Sequence, residues 1–175
     1  MIKKITITIL SLLVLINTSI VYACNFKMGE FGDSIEKIKV DPFPVIFPDQ
    51  FNGETALIPL QQVCRDDKEL FGTQIMLLYV DKKLLQVRLE RPNYNDAKLM
   101  DFAMKKYGTF SLPAGIKKED WRGNYQWENS SEIIIYDYIN THDGSLEILE
   151  LNSKLYEKNL ITYFEKIGKW LDSQK

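Results

Sequence analysis

Two cysteines (Cys24 and Cys64), one histidine (His142) and several groups of carboxylates are the side chains in this sequence with reactive potential. A cysteine nucleophile works as its thiolate, and the neighbouring Asp66 and Asp67 oppose that charge at Cys64. In an oxidising compartment an even cysteine count points instead to a disulfide, Cys24 to Cys64. Closing a loop of about 40 residues stabilises a fold by roughly 4 kcal/mol in the chain-entropy model. His142 stands beside Asp143 and Gly144 in a turn signal. A triad needs a partnered nucleophile and a zinc site needs several ligands, so this lone histidine is expected to be a solvent-exposed turn residue.

The carboxylates gather at Asp66, Asp67 and Glu69, at Glu119 and Asp120, and at Glu147 with Glu150. Any of these has the composition of a general acid/base pair, but such a pair is defined by distance and environment. Asp66-Asp67 lacks the alternating acidic spacing of a calcium loop. No catalytic residue, metal ligand or cofactor site is assigned, and with 24 acidic residues solvated surface carboxylates are the expectation.

Aromatic residues form two groups suited to binding. Trp121, Tyr125, Trp127, Tyr136 and Tyr138 fall on successive strands, where residues two apart share a face. On a wet face they make a platform for a peptide or a sugar; beneath the aromatic final helix they are core, and that helix's need for a partner face favours core. Phe43, Val45, Phe47 and Phe51 recur at odd positions, a period of two that lays them on the core. The alternative is a binding loop displaying Phe43, Phe47 and Phe51.

The elements that position these residues follow a leader. Lys3 and Lys4, the apolar run from Ile5 and Val21-Tyr22-Ala23 match a signal peptide over residues 1–23. The apolar stretch Ile5–Val21 is at the lower limit of a membrane span and is diluted by Thr6, Thr8, Asn17, Thr18 and Ser19, which favours cleavage over anchoring. Residues 24–175 are then one domain of common size. The full chain has 22 basic and 24 acidic residues; the leader takes two lysines, leaving a mature charge of −4. This gives no footprint for nucleic acid or an anionic membrane.

Asp33 or Ser34 caps a short helix with Ile35 and Ile38 on one edge. Four prolines between Val40 and Gln62 predict an extended wrapped segment. Thr73–Val80 and Leu84–Arg91 read as a hairpin around Asp81-Lys82-Lys83, with Leu85, Val87 and Leu89 on its buried face. Asn93 or Asn95 opens a helix to Tyr107 bearing a Met100, Ala103, Met104, Tyr107 stripe. Asn124–Glu128, Glu132–Ile139 and Ser145–Leu151 form a meander, and Asn152 or Ser153 caps a last helix to about Leu171. The predicted fold is α+β: an antiparallel sheet of about five strands, hairpin plus meander, with two longer helices and one short N-terminal helix packed on it.

Met28-Gly29 followed by Gly32-Asp33-Ser34-Ile35-Glu36-Lys37-Ile38 resembles the opening helix of small bacterial envelope proteins of the BamE/SmpA type. The resemblance spans about a dozen residues and implies an envelope scaffold of helices on an antiparallel sheet. Val-Tyr-Ala-Cys also resembles a bacterial lipobox, in which Cys24 carries lipid. The functional expectation is an exported, non-enzymatic protein, periplasmic or secreted, that binds or scaffolds another envelope component. The alternatives are a secreted inhibitor or immunity protein presenting the proline-rich loop, an outer-membrane-tethered lipoprotein, and a carboxylate-based hydrolase. The expected partner is another envelope or secreted protein, with membrane contact only if Cys24 is lipidated.

Overall fold

In the computed structural model, residues 26–175 are described; the expected signal peptide over 1–23 and Cys24 of the expected disulfide lie outside them. Apolar alternation builds β1 (Val45–Pro48), β2 (Gly53–Pro59), β3 (Gln74–Val80), β4 (Lys83–Pro92), β5 (Gly123–Glu128), β6 (Glu132–Thr141) and β7 (Gly144–Ser153). The helices are α1 (Leu60–Val63), α2 (Lys98–Tyr107) and α3 (Glu157–Ser173). All strands join in one antiparallel sheet, in the order β1-β2-β3-β4-β7-β6-β5. It is two meanders, β1 to β4 and β5 to β7, fused where β4 meets β7.

The sheet has seven strands where about five were expected. Both additional strands, β1 and β2, come from the proline-rich segment. Proline is excluded from a ladder only where its missing N–H is needed. Pro48 ends β1, Pro59 ends β2, and Gly53–Ile58 between them contains no proline. The expected opening helix is a single 3-10 turn, Ile35–Lys37, with no side-chain cap; Gly32 and Asp33 instead exchange main-chain hydrogen bonds with Leu84, both 2.9 Å.

Two other boundaries shift. Asn152 and Ser153 continue β7 opposite Gln86 and Glu132, so α3 starts only at Glu157. Asn93 and Ala97 take left-handed backbone, and α2 starts at Lys98 rather than at an asparagine cap.

One face of the sheet carries the main core: Ile58, Leu77, Val87, Leu89, Tyr136 and Leu149, covered by Leu99, Met100 and Ala103 of α2 and by Phe26 and Ile38. The other face holds a smaller cluster in which Leu78, Val80 and Leu85 meet Leu160 and Tyr163 of α3. Leu85 does not share a face with Val87 and Leu89 as expected. A bulge pairs Leu78 with Gln86 and Tyr79 with Leu84, so Leu85 is the extra residue and turns toward α3. The bulge thus gives α3 its apolar seat.

Candidate protein-binding surface

The five aromatic residues on the second meander do converge, but under α2 and the 109–122 segment, not under the final helix. Tyr136 and Tyr138 are fully buried, Trp121 and Trp127 half-buried, and Tyr125 is 37% exposed. Phe110 holds them together: its ring stacks on Tyr125 at 4.3 Å and 9°, and lies 5.5 Å from Trp121 and 5.7 Å from Trp127. Trp121 stacks in turn on Tyr136, and the Arg122 guanidinium sits 3.8 Å over Tyr138. The cluster grades from core at β6 to surface at β5, so only its rim, Tyr125 with part of Trp127, faces outward. Tyr136 and Tyr138 lie in the core, but not beneath the final helix whose need for a partner face was the reason to expect it; Phe110 and α2 cover the cluster instead.

The proline-rich segment divides differently. Phe43 and Phe47 are 56% and 52% exposed, with Val45 beside them. Their period of two is that of a strand, but β1 is an edge strand that begins at Val45, and Val45 and Phe47 stand on the face that α2 does not cover. Ile46, between them, is the residue that packs on the main core. Phe51 is half-buried with its ring 6.2 Å from Trp170 of α3.

Register places Phe47 opposite Thr55, and Thr55 opposite Leu78, which packs under α3. Val45 lies in the next row, opposite Leu57 and then Met76. Exposed β1 residues and α3 therefore occupy the same sheet face. The helix itself has more apolar surface than it uses. Leu160, Tyr163, Ile167 and Trp170 form the stripe that packs inward, and Ile161, Phe164 and Leu171 form a second, exposed stripe beside it. Exposed apolar residues gathered on one face are the kind that marks interaction surfaces.

The junction between β1 and α3 is polar and well ordered by contacts. Asp49 accepts main-chain hydrogen bonds from Phe51 at 2.6 Å and Gly53 at 2.9 Å and a further one from the Tyr163 hydroxyl. Burial works to raise the Asp49 carboxyl, but these donors outweigh it and hold it below the ordinary aspartate range. A Cβ on Gly53 would collide with both the Asp49 carboxylate and the Tyr163 ring, so this position requires glycine. Shallow depressions of about 170 and 450 Å³ flank the Asp81 turn nearby, lined by Lys158 and Tyr163 on one side and Glu54 and Lys82 on the other.

The carboxylates sort into structural roles. Asp67 accepts the N–H groups of Glu69 and Leu70 in its own turn. Glu147 and Glu150 are not a pair, since they point to opposite faces of β7. Glu150 joins an ion ladder with Arg88 and Glu90, the arginine being 3.6 and 2.7 Å from them, and burial pushes the Glu150 and Asp137 carboxyls upward. Glu147 is fully buried against Arg91, Tyr136 and the start of α2. His142 is exposed in the β6–β7 turn. Among the described residues, no group of three or more His, Cys, Asp or Glu is arranged to hold a metal ion, and no helix is long and apolar enough to cross a membrane.

No family model, curated protein or solved structure matches the chain. Its functional reading therefore rests on its own residues.

Proposed function

We propose that the protein is an exported, non-enzymatic binding module that docks onto another envelope or secreted protein through the apolar surface shared by β1 and α3. The observation that carries this reading is the exposure of Val45 and Phe47, with Phe43 exposed just before the strand, on the same sheet face as α3, whose Ile161, Phe164 and Leu171 stripe is unused. Leaving six large apolar side chains this exposed in water is unfavourable unless a partner covers them. Export is supported by the basic, apolar and small-residue order of residues 1–23, and an envelope setting by the BamE/SmpA-type resemblance of Met28–Ile38. A Cys24–Cys64 disulfide is part of the proposal. It is supported by the lack of any free cysteine among the described residues and by the count of two cysteines in the chain. Lipidation of Cys24 is the competing fate and would exclude that bridge.

The test is affinity isolation from envelope extract with the native protein and with Phe47→Ser side by side. A partner retained by the native protein and lost by the variant supports the reading; no reproducible partner for either overturns it.

A second reading, a secreted inhibitor or immunity protein, is favoured by one feature. Pro42, Pro44 and Pro48 restrict the backbone on which Phe43 and Phe47 are displayed, and a pre-organised loop loses little entropy on entering a cleft. If the isolated partner is a hydrolase whose activity falls on addition of the native protein and not of Phe47→Ser, this reading replaces the first.

A further inference from the structure

The two edges of the sheet differ in what their main chains offer. At β1, Asp49 N–H bonds to the Gly53 carbonyl at 2.8 Å, which sets the phase of the ladder: odd-numbered residues turn inward to β2 and even-numbered residues outward. The outward residues are Pro44, Ile46 and Pro48, and two of these have no N–H. This edge is blunted in the usual way. At β5 the same reasoning gives the opposite result. Asn129 N–H bonds to the Glu132 carbonyl at 3.1 Å, so Tyr125 and Trp127 direct their main-chain groups into the sheet, while Asn124, Gln126 and Glu128 direct theirs out. All three have an N–H, all three are exposed, and no proline lies within or next to the strand.

We propose that β5 pairs with β5 of a second copy about a two-fold axis at Gln126, joining two sheets into one. The strand is complementary to itself in this register. Gln126 faces Gln126 of the second copy, and Asn124 faces Glu128, so every outward-facing residue of β5 meets an outward-facing residue and their N–H and C=O groups pair. The side chains agree with the main chain. Glu128 is the strand's only charge, it is already neutralised by Lys154 at 2.5 Å, and it meets an asparagine rather than its own copy. On the other face Tyr125 meets Trp127 of the second copy at a non-hydrogen-bonded position, where side chains approach most closely. The exposed rim of the aromatic cluster, Phe110, Tyr125 and Trp127, is then continued by the same three rings from the partner. Such an isologous contact closes on itself, so the product is a dimer and not a fibre. Because β1 and β5 are opposite edges of the sheet, the dimer presents two β1/α3 surfaces at its two ends, and its partners are engaged bivalently.

The experiment combines sedimentation of the purified protein with cysteine cross-linking. The native protein is expected to sediment at twice the chain mass at a concentration of about 100 μM, and Gln126→Pro, which removes an outward N–H and no bond to β6, at the chain mass with an unchanged circular dichroism spectrum. Should Gln126→Pro not fold, cross-linking decides. Facing residues at a hydrogen-bonded position have Cα atoms about 5.5 Å apart, within disulfide range. Gln126→Cys is therefore expected to form a covalent dimer under mild oxidation. Asn124→Cys is not, because in this register it lies four residues from its own copy, roughly 13 Å away. A native protein that sediments as a monomer, a dimer indifferent to a folded Gln126→Pro, or equal cross-linking of the two cysteine variants overturns the proposal.

Discussion

The Glu147 carboxylate of β7 receives the main-chain N–H of Met100 at 3.1 Å, and so caps α2 from the sheet below it. Leu99 N–H reaches its other oxygen at 3.5 Å, the Tyr136 hydroxyl donates to it at 2.8 Å, and Arg91 stands 3.5 Å away. The N-cap residue, Ala97, has no polar side chain to cap the helix, and the local acceptor is Asp96, which takes one first-turn N–H, that of Lys98, at 3.4 Å. Its unbonded N–H groups and the positive end of its dipole are met instead by a buried anion. Burial pushes the Glu147 carboxyl upward, and the Tyr136 hydroxyl, the two N–H groups and Arg91 pull against it. Arg91 is itself only 2% exposed and is also bound by Asp96, whose second hydrogen bond is 3.0 Å.

Removing Glu147 would leave the start of α2 and the Tyr136 hydroxyl without their buried acceptor, and Arg91 with Asp96 as its remaining anionic partner. Glu147→Ala is expected to lower unfolding stability by about 3–5 kcal/mol, the range for breaking one side of a buried pair. Tyr136→Phe, which takes one donor from a charged acceptor, is expected to cost about 1.5–3 kcal/mol. Urea unfolding followed by tryptophan fluorescence measures both. Equal, small effects would mean that α2 is held by its apolar stripe alone.

The contact between Asp49 and Tyr163 has a pH signature. The Asp49 carboxyl is lowered in the folded protein, so as the pH falls the unfolded chain takes up the proton first. The stabilisation is therefore complete above the ordinary aspartate value of about 4 and disappears as the pH drops through the lowered folded value. The native protein is expected to lose more stability between about pH 5 and pH 3 than Asp49→Asn does. Burial works to raise Asp96, but Arg91 and Lys98 together outweigh it and hold the carboxyl below its ordinary range, which adds a loss of the same sign, so the comparison with Asp49→Asn isolates one group. Urea midpoints at the two pH values give the difference.

How much of this was legible follows from what each residue depends on. The β3–β4 hairpin was readable because two apolar runs flank polar Asp81-Lys82, which take the positive φ angles of 49° and 64° that a tight turn needs. β1 and β2 were not, because counting prolines says nothing about whether their missing N–H groups face a neighbour or the open edge. Leu84, next to the bulge at Leu85, bonds to Gly32 and Asp33, far away in sequence, so its surroundings are not local. For Glu147 a signal was present. It falls in phase with Leu149 and Leu151 on β7, as Arg91 does with Val87 and Leu89 on β4, and a lone charge at an inward position of each of two strands suggests that they meet. The binding surface was half legible: the period of two in Phe43, Val45 and Phe47 was correct for a strand, but which face is covered is a tertiary fact.

The cysteine proposal makes a covalent prediction. Intact-mass measurement of protein recovered from the envelope is expected to give a chain beginning at Cys24 and two hydrogens lighter than its reduced form. Reduction is then expected to lower unfolding stability by roughly 4 kcal/mol, less any native strain. A diacylglyceryl mass on Cys24 would exclude the bridge and place the protein on a membrane.

The sharpest separation between surface and core lies within one short stretch. Phe47 is 52% exposed on edge strand β1, and Phe51, four residues later, packs against Trp170. Phe47→Ser is expected to change stability by no more than about 0.5 kcal/mol, as surface substitutions do, while abolishing partner capture. Phe51→Ala removes part of what holds α3 down and is expected to cost about 1–2 kcal/mol, below the range for a fully buried phenylalanine because Phe51 is half-buried. Melting temperature and partner capture, measured on both variants, distinguish the roles. If Phe47→Ser destabilises as much as Phe51→Ala, the β1 aromatics are part of the fold's own packing and the surface they form with α3 is not a docking site. If Phe51→Ala alone loses the partner while remaining folded, docking depends on the position of α3 rather than on β1, and the exposed stripe Ile161, Phe164 and Leu171 becomes the surface to alter next.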